Sequence, residues 1–367
     1  MSPLLQQAAA FAKRIEREKR ALQVDFEWYP YDTLSNLWHI DRLLTGAHRG
    51  LIAPQGTGGR RERVLDFGSQ DGELGFFLES LGYDVVAADH PAYNHNGMRG
   101  IRALKAALGS RVEIHEIDAD RPFTLPHDGY DLVLFLGILY HLRNPFYVLE
   151  ELARRATHLL LSTRVARRYP GGAAMPEGMA IAYLLRANEL NQDDSNYFIF
   201  SEPALRVVLE RAHWEVRDFL SLGAAASDPV RLDRDERAYC YARSRHSRLA
   251  NLELLEGWHE PEDTGWRWTA RRFRARLRAA RTLTMRFYIA EESIRRLGRL
   301  TLAASANGVP LEAAVYETAG PATYVRTLDT AGEGAEVTVE FHLDGALEPD
   351  ATDDRERGII VAAIEAE

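Results

Sequence analysis

The sequence predicts an α/β fold: a doubly wound, seven-stranded sheet over residues 51–245, a helical extension over 1–50 before it, and a β-sandwich over 246–367 after it. Three observations predict it. From Val64 onward, short apolar runs alternate with stretches whose apolar residues recur at three- and four-residue spacing, the pattern of strands separated by helices. Two further runs, EVRDFLSL and RAYCYARS, follow one another with no helix between them, which makes an antiparallel hairpin at the sheet's edge. Beyond Arg245 the helical periodicity fades into strand-like runs punctuated by Asn-Gly and Asp-Gly, the turn signals of hairpins.

Taken in order, Leu4 to Leu22 has helical composition, and Asp32 or Thr33 can cap a second helix in TLSNLWHIDRLL. Between them DFEWYPYD carries Trp28, Tyr29 and Tyr31, a segment suited either to cover a ligand as a lid or to dock the first helix. RVLDFG, DVVAAD, RVEIHEID, YDLVLFLGI and HLLLSTR are the strands of a parallel sheet; ELGFFLESLG, GIRALKAALG and PFYVLEELARRA are the crossover helices between them. A last helix, SEPALRVVLERAHW, has Ser201 to cap it and Pro203 in its first turn. In the C-terminal part, RTLTMRFYI, RLTLAASANG, EVTVEFHLDG and GIIVAAIE read as strands of the sandwich.

Composition limits the function classes. A chain of 367 residues with 46% hydrophobic content exceeds the usual size of one domain and can bury a core in each of two. Cys240 is the single cysteine, so no internal disulfide forms. The first twenty residues carry charges where a secretory signal needs an apolar stretch, and the longest apolar run, Leu132 to Leu139, suits a buried strand and is far too short to span a bilayer. A soluble protein of a reducing, cytoplasmic setting is expected, with no membrane partner. Formal charge is 45 minus 54, or −9, which disfavours a general attraction to phosphate backbones. Arginines nevertheless gather between Arg267 and Arg299; Arg274, Arg276 and Arg278 alternate with Phe273, Ala275 and Leu277, so they share one face of a strand, a solvated one first and a nucleic-acid or anionic-sugar face second.

The chemistry is concentrated at the ends of the first strands. Ligands of an open parallel sheet bind beyond its carboxyl edge, where the topology switches, and the first strand ends there in DFGSQDG. Gly68 and Gly72 let the backbone turn tightly and leave room for a ligand, while the next helix points free N–H groups toward it. Asp89, ending the second strand, suits the two hydroxyls of a ribose; Asp118 and Ala119, ending the third, suit an adenine edge. A nicotinamide dinucleotide needs G-x-G-x-x-G to seat its pyrophosphate, and GSQDG does not supply it. Asp66 repels phosphates and suits the ammonium of an amino-acid moiety. The combination points to S-adenosylmethionine.

On these residues, Val64 to Val165 with the later hairpin resembles a class I, Rossmann-like S-adenosylmethionine-dependent methyltransferase. By that resemblance Asp66, Gly68 and Gly72 match the glycine-rich first motif, Asp89 the ribose-binding acid and Asp118 the adenine-side acid. Gln70 departs from it, standing where the motif usually has a third glycine; it is expected to line the pocket's edge. Gly-x-x-Asp-Gly followed by GILYHLRNP is similar to the branch containing tRNA wobble-uridine (carboxy)methyltransferases. The resemblance covers about half the chain.

Methyl transfer depends on holding a nucleophile in line with the donor methyl, and a hydroxyl acceptor gains from a nearby base. YDLVLFLGI runs into LYHLRNP, which brings Gly137, Tyr140 and His141 to the donor; His141 is the candidate base by position and titration range. The Gly- and Pro-rich TRVARRYPGGAAMPEGM has the look of a mobile loop that could close the pocket, and NQDDSNYFIFS offers Asn196 and Tyr197 to the acceptor. The acceptor expected first is a hydroxyl or similar nucleophile of a small molecule or sugar, with Trp258, Trp266 and Trp268 either stacking on sugar rings or packing in the sandwich. A tRNA base is the alternative. Twelve histidines show no H-E-x-x-H or paired-cysteine spacing, so no metal site is expected.

Overall fold

The structure, a computed structural model, describes residues 2–55, 61–127, 129–223, 228–231, 236–245, 253–262, 266–278, 282–328, 336–351 and 353–366. The chain divides into two compact units, one of residues 1–55 and 61–244 and one over 245–367.

The first unit opens with α1 (Pro3–Ala21), whose first turn is capped by the Ser2 hydroxyl accepting from the Leu5 amide. A 3₁₀ turn over Thr33–Ser35, capped by Asp32, leads into α2 (Asn36–Leu43). The alternation that follows is β1 (Arg63–Phe67), α3 (Glu73–Ser80), β2 (Asp84–Asp89), α4 (Arg99–Leu108), β3 (Glu113–Glu116), β4 (Tyr130–Leu136), α5 (Pro145–Arg155) and β5 (Ala156–Val165). β6 (Ala182–Leu184), β7 (Phe198–Phe200), α6 (Glu202–Arg211), β8 (Trp214–Leu222) and β9 (Glu236–Ser244) complete it. Ser201 caps α6 by accepting from the Ala204 amide, as its position predicts.

β3, β2, β1, β4 and β5 lie side by side in that order and run parallel. β9 then pairs antiparallel with β5, and β8 antiparallel with β9. These are the expected seven strands. Two more, β7 and β6, extend the carboxyl end of β5, where Val165 pairs with Phe200. The sequence predicts no strand at either place, because each is only three residues long.

Side chains alternate across the sheet, so β1 sends Val64 to one face and Leu65 to the other. One face packs under α5 and α6 through Phe135, Leu149, Leu152, Leu205 and Trp214. The opposite face packs under α3 and α4 through Phe77 and Ile101, and under α1 and α2 through Ile15, Leu37 and Ile40. Residues 1–50, expected as an extension, are therefore part of this unit's own core. A fully buried aliphatic side chain contributes roughly 1.5–3 kcal/mol, which is what holds α1 and α2 on the sheet.

The second unit contains β10 (Glu253–Leu254), β11 (Arg267–Trp268), β12 (Arg272–Arg278), β13 (Thr282–Ile289), α7 (Glu291–Leu297), β14 (Leu300–Ala306), β15 (Val309–Tyr316), β16 (Gly320–Thr327), β17 (Glu336–Leu343) and β18 (Ile360–Ala366). They form a five-stranded sheet, β10-β12-β17-β14-β15, and a four-stranded sheet, β11-β18-β13-β16. Phe273, Leu302 and Phe341 of the first share one core with Met285, Phe287 and Val361 of the second, so the unit is a β-sandwich. Asn307 and Gly308, both at positive φ, make the tight turn from β14 to β15 that their sequence signals.

The outward arginines of β12 are already engaged: Arg274 pairs with Glu256 and Glu340, and Arg276 with Glu253 and Glu336. This is the solvated face, neutralised by its neighbours. The Arg278 side chain lies outside the described residues. Trp258 packs edge-on against Phe273 and donates its indole N–H to the Arg274 carbonyl at 2.6 Å, so its ring is committed to the sandwich. Trp266 and Trp268 are half-buried.

Candidate functional site

The sheet order reverses between β1 and β4, which are neighbours in space, and this places the crevice at their carboxyl ends. Leaving β1, the chain turns through Gly68 at φ +78° and Gly72 at φ +79°, a region costly for residues with a Cβ. A Cβ on Gly68 would overlap the Ile138 side chain at the end of β4, and one on Gly72 would sit 2.6 Å from Ile101 of α4. Gly75 lets α3 approach β1, since its Cβ would stand 3.2 Å from Asp66 Oδ2.

Gln70 also has positive φ, +51°, and its strain is offset by three bonds. Its N–H donates to Asp89 Oδ2 at 2.8 Å, its carbonyl accepts from Asn94, and its side-chain oxygen accepts from the His95 amide. The departure from glycine therefore fastens the turn to the loop after β2.

Two carboxylates sit at this turn. Asp89 is buried and accepts from the Gln70 amide and the Asn94 side chain at Oδ2 and from the His90 amide at Oδ1. Burial raises its pKa, and these bonds oppose the rise. A carboxylate has about four lone-pair sites, so the turn leaves Asp89 with room for one more donor. Asp66 is buried with Oδ2 bonded to no described residue. Burial, and then the Asp89 charge, push its pKa up to about 7; the Gly75 amide opposes this without completing a hydrogen bond. Asp66 Oδ2 is therefore a buried acceptor with no donor among the described residues.

Asp118 stands two residues past the end of β3, half-buried, paired with Arg121 at 3.1 Å and accepting from the Asp120 amide. Ala119 beside it is buried.

Beyond β4, Gly137 turns at φ +80° and donates to the Ser162 carbonyl. Tyr140 and His141 occupy a 3₁₀ turn over Leu139–His141 with ring centres 4.4 Å apart. The Tyr140 carbonyl accepts the Tyr197 amide at 2.9 Å, which brings the 193–197 loop alongside. His141 Nδ1 lies 2.9 Å from Ser195 Oγ, and Ser195 Oγ donates to Asp193 Oδ1 at 2.6 Å. Burial lowers the His141 pKa against the Asp193 charge and a hydrogen bond with the Ser195 backbone, which favours the neutral ring. The sequence pointed to Asn196 and Tyr197 in this loop and missed Asp193 and Ser195. Asn196 is buried, its amide nitrogen bonding the Leu190 and Asp193 carbonyls; it braces the loop from inside. The Tyr197 hydroxyl accepts from Arg143 Nε at 2.8 Å.

Trp28 docks, lying under Lys19 Nζ and against Phe26. Tyr29 faces the site: its ring meets Tyr31 and His95, and its pKa is pushed up to about 12 by burial, then by Tyr140 and Tyr31, with Asp89 adding to the effect. Tyr31 is exposed. Among the described residues no group of three or more His, Cys, Asp or Glu is placed to hold a metal. Cys240 is buried and its thiol is pushed up to about 12 by burial, which makes it inert. No described helix is long and apolar enough to cross a membrane.

Residues 39–218 match the family model described as a methyltransferase domain. The tRNA U34 carboxymethyltransferase of Psychrobacter arcticus is 29% identical over 181 residues, 45% of this chain and 47% of that protein. The chain thus spans about half the length of this relative. Among solved structures, the N-terminal domain of EvdMO1 with SAH bound is 16% identical, covering 64% of this chain and 97% of its own, with a TM-score of 0.40. A SAM-dependent methyltransferase from Methanosarcina mazei is 18% identical over 51% of this chain and 94% of its own, with a TM-score of 0.37.

Proposed function

We propose that this chain, which carries a methyltransferase domain over residues 39–218, transfers a methyl group from S-adenosylmethionine to a hydroxyl or similar nucleophile of a small-molecule or sugar acceptor. The observation that carries the reading is the Asp66 carboxylate, buried without a partner at Oδ2 beneath the glycine turn. An amino-acid ammonium supplies both a donor for that oxygen and a charge that offsets the buried carboxylate, whereas a neutral donor supplies only the first and an anionic ligand neither. Asp89, with one acceptor position left, takes a ribose hydroxyl. Asp118 and Ala119 border the adenine, Gly68 and Gly72 allow the close approach of the donor, and Gly137 and Tyr29 form walls.

The donor supplies a methyl carbon on a positively charged sulfur, which leaves as a neutral thioether. The protein's own part is to hold the acceptor in line with that carbon and to accept its proton. His141, whose burial favours the neutral ring, is the base; Tyr140 and Tyr197 flank it on the acceptor side, and Asn196 shapes the loop that carries Tyr197. Binding of S-adenosylhomocysteine tests the donor, and release of S-adenosylhomocysteine from S-adenosylmethionine with a panel of hydroxyl acceptors tests the reaction.

A second reading, modification of a wobble uridine in tRNA, draws on the likeness to the carboxymethyltransferase. The paired arginines of β12 and the net charge of −9 weigh against it. Turnover with tRNA and not with the hydroxyl panel would favour it.

A further inference from the structure

The Ser195 hydroxyl has a single proton, and the geometry gives that proton to Asp193 Oδ1 at 2.6 Å. Asp193 also accepts the Ser195 amide at 2.8 Å and is held ionised: its hydrogen bonds from Ser195, with the facing His141, draw its pKa below the usual carboxylate value against the opposing effect of burial. Ser195 Oγ therefore faces His141 Nδ1, 2.9 Å away, as an acceptor. A neutral imidazole has one ring proton, so that proton sits on Nδ1 and Nε2 carries the free lone pair.

We propose that Ser195 and Asp193 are positioning residues that hold His141 in the tautomer whose Nε2 accepts the acceptor's proton. The role rests on the methyl-transfer reading above and narrows its substrate to a neutral O–H nucleophile, since a carboxylate acceptor has no proton to give. As the acceptor oxygen bonds to the methyl carbon and the methyl–sulfur bond breaks, the O–H proton passes to Nε2. The imidazolium so formed keeps its Nδ1–H on Ser195, with the Asp193 charge 4.0 Å from Nδ1. Burial and Arg237 oppose this charged state, whereas Asp193 and a hydrogen bond with the Ser195 backbone favour it; Tyr140 packs against the ring.

The test is the ¹⁵N spectrum of histidine-labelled full-length protein, with His141 assigned by its loss in His141→Gln. Two-bond proton–nitrogen correlations separate the protonated ring nitrogen from the bare one. The expected result is a protonated Nδ1 and bare Nε2 in the wild type and in Ser195→Thr, with the proton moving to Nε2 in Ser195→Ala. Asp193→Asn should shift the His141 titration to lower pH, since it removes the charge that favours imidazolium. A protonated Nε2 in the wild type, or an unchanged ring in Ser195→Ala, would overturn the positioning role. S-adenosylhomocysteine titrations of the same samples keep the two failures apart. A wild type that binds none overturns the methyl-transfer reading, and a wild type that binds with Nε2 protonated overturns only the role of Ser195 and Asp193.

Discussion

The Asp71 carboxylate, in the turn after β1, accepts the backbone N–H of Tyr29 at 2.8 Å from 42 residues upstream. The same carboxylate accepts from Asn96 and lies 3.4 Å from Lys19 Nζ, while Lys19 also pairs with Glu73 at 2.5 Å. The turn after β1 is thereby the anchor of the segment that carries Tyr29. Gly100 makes room for this, since a Cβ there would strike Asp71 and Asn96.

Asp71→Ala should release the segment. It leaves the half-buried Tyr29 amide without its acceptor and takes one of two acceptors from the Asn96 amide nitrogen, whose other is the Glu27 carbonyl, a loss of about 1–3 kcal/mol. Thermal unfolding should fall accordingly, and trypsin should cut after Lys19 and Arg20 faster in the folded protein. An unchanged melting temperature and cleavage rate would show that the segment is held by other contacts.

Asp66 makes donor binding depend on pH. Its pKa in the folded protein is raised to about 7, so below that pH the acid is mostly protonated and must lose its proton to receive an ammonium. Affinity for S-adenosylhomocysteine should rise from pH 6 toward pH 8, by about tenfold for each unit below 7, with proton release on binding. The apo protein has the opposite sign: a raised carboxylate pKa stabilises the fold below its usual value and loses that contribution as pH climbs through 7. Calorimetry in buffers of different ionisation enthalpy reads the released proton. A flat profile, or the same profile in Asp66→Asn, would remove Asp66 from the donor site.

Gly68 and Ile138 form a steric pair across β1 and β4. Gly68→Ala should cost about 1–3 kcal/mol, from the positive φ and the overlap together. The cost should shrink in an Ile138→Ala background, which removes the overlap and leaves the φ strain. Equal costs in both backgrounds would mean that backbone strain alone selects the glycine.

The paired arginines of β12 bear on the tRNA reading. Their guanidiniums are matched by Glu253, Glu256, Glu336 and Glu340, so tRNA binding measured between about 50 and 200 mM salt should be weak and lack the steep slope of a many-phosphate contact. A steep slope would move that reading to the front.

Much of this was legible in the chain. β1, β2, β4 and β5 carry apolar runs long enough to show burial on both faces, and the turn glycines stand out because they break those runs. β15 and β16 were not legible: they lie at the sheet edges and expose Val309, Val315 and Val325, so their apolar residues do not mark the inward face even where burial alternates, as it does in β16. α7 hides between two strands because it is only seven residues long. At the site, His141 was identifiable from its place after β4. Its partner Ser195 lies 54 residues away, and only folding shows that this residue, not its neighbour Asn196, faces the ring. Asp71 read as part of a turn because its partners, Tyr29 and Asn96, carry no local signal.

The account stands first on the donor, and the most direct measurement is a calorimetric titration of wild type and Asp89→Ala with S-adenosylhomocysteine. One binding site per chain is expected in the wild type, with affinity at least tenfold weaker in Asp89→Ala, a difference of about 1.4 kcal/mol. Absence of binding in wild-type protein free of co-purified ligand, or equal affinity in the two proteins, would contradict it.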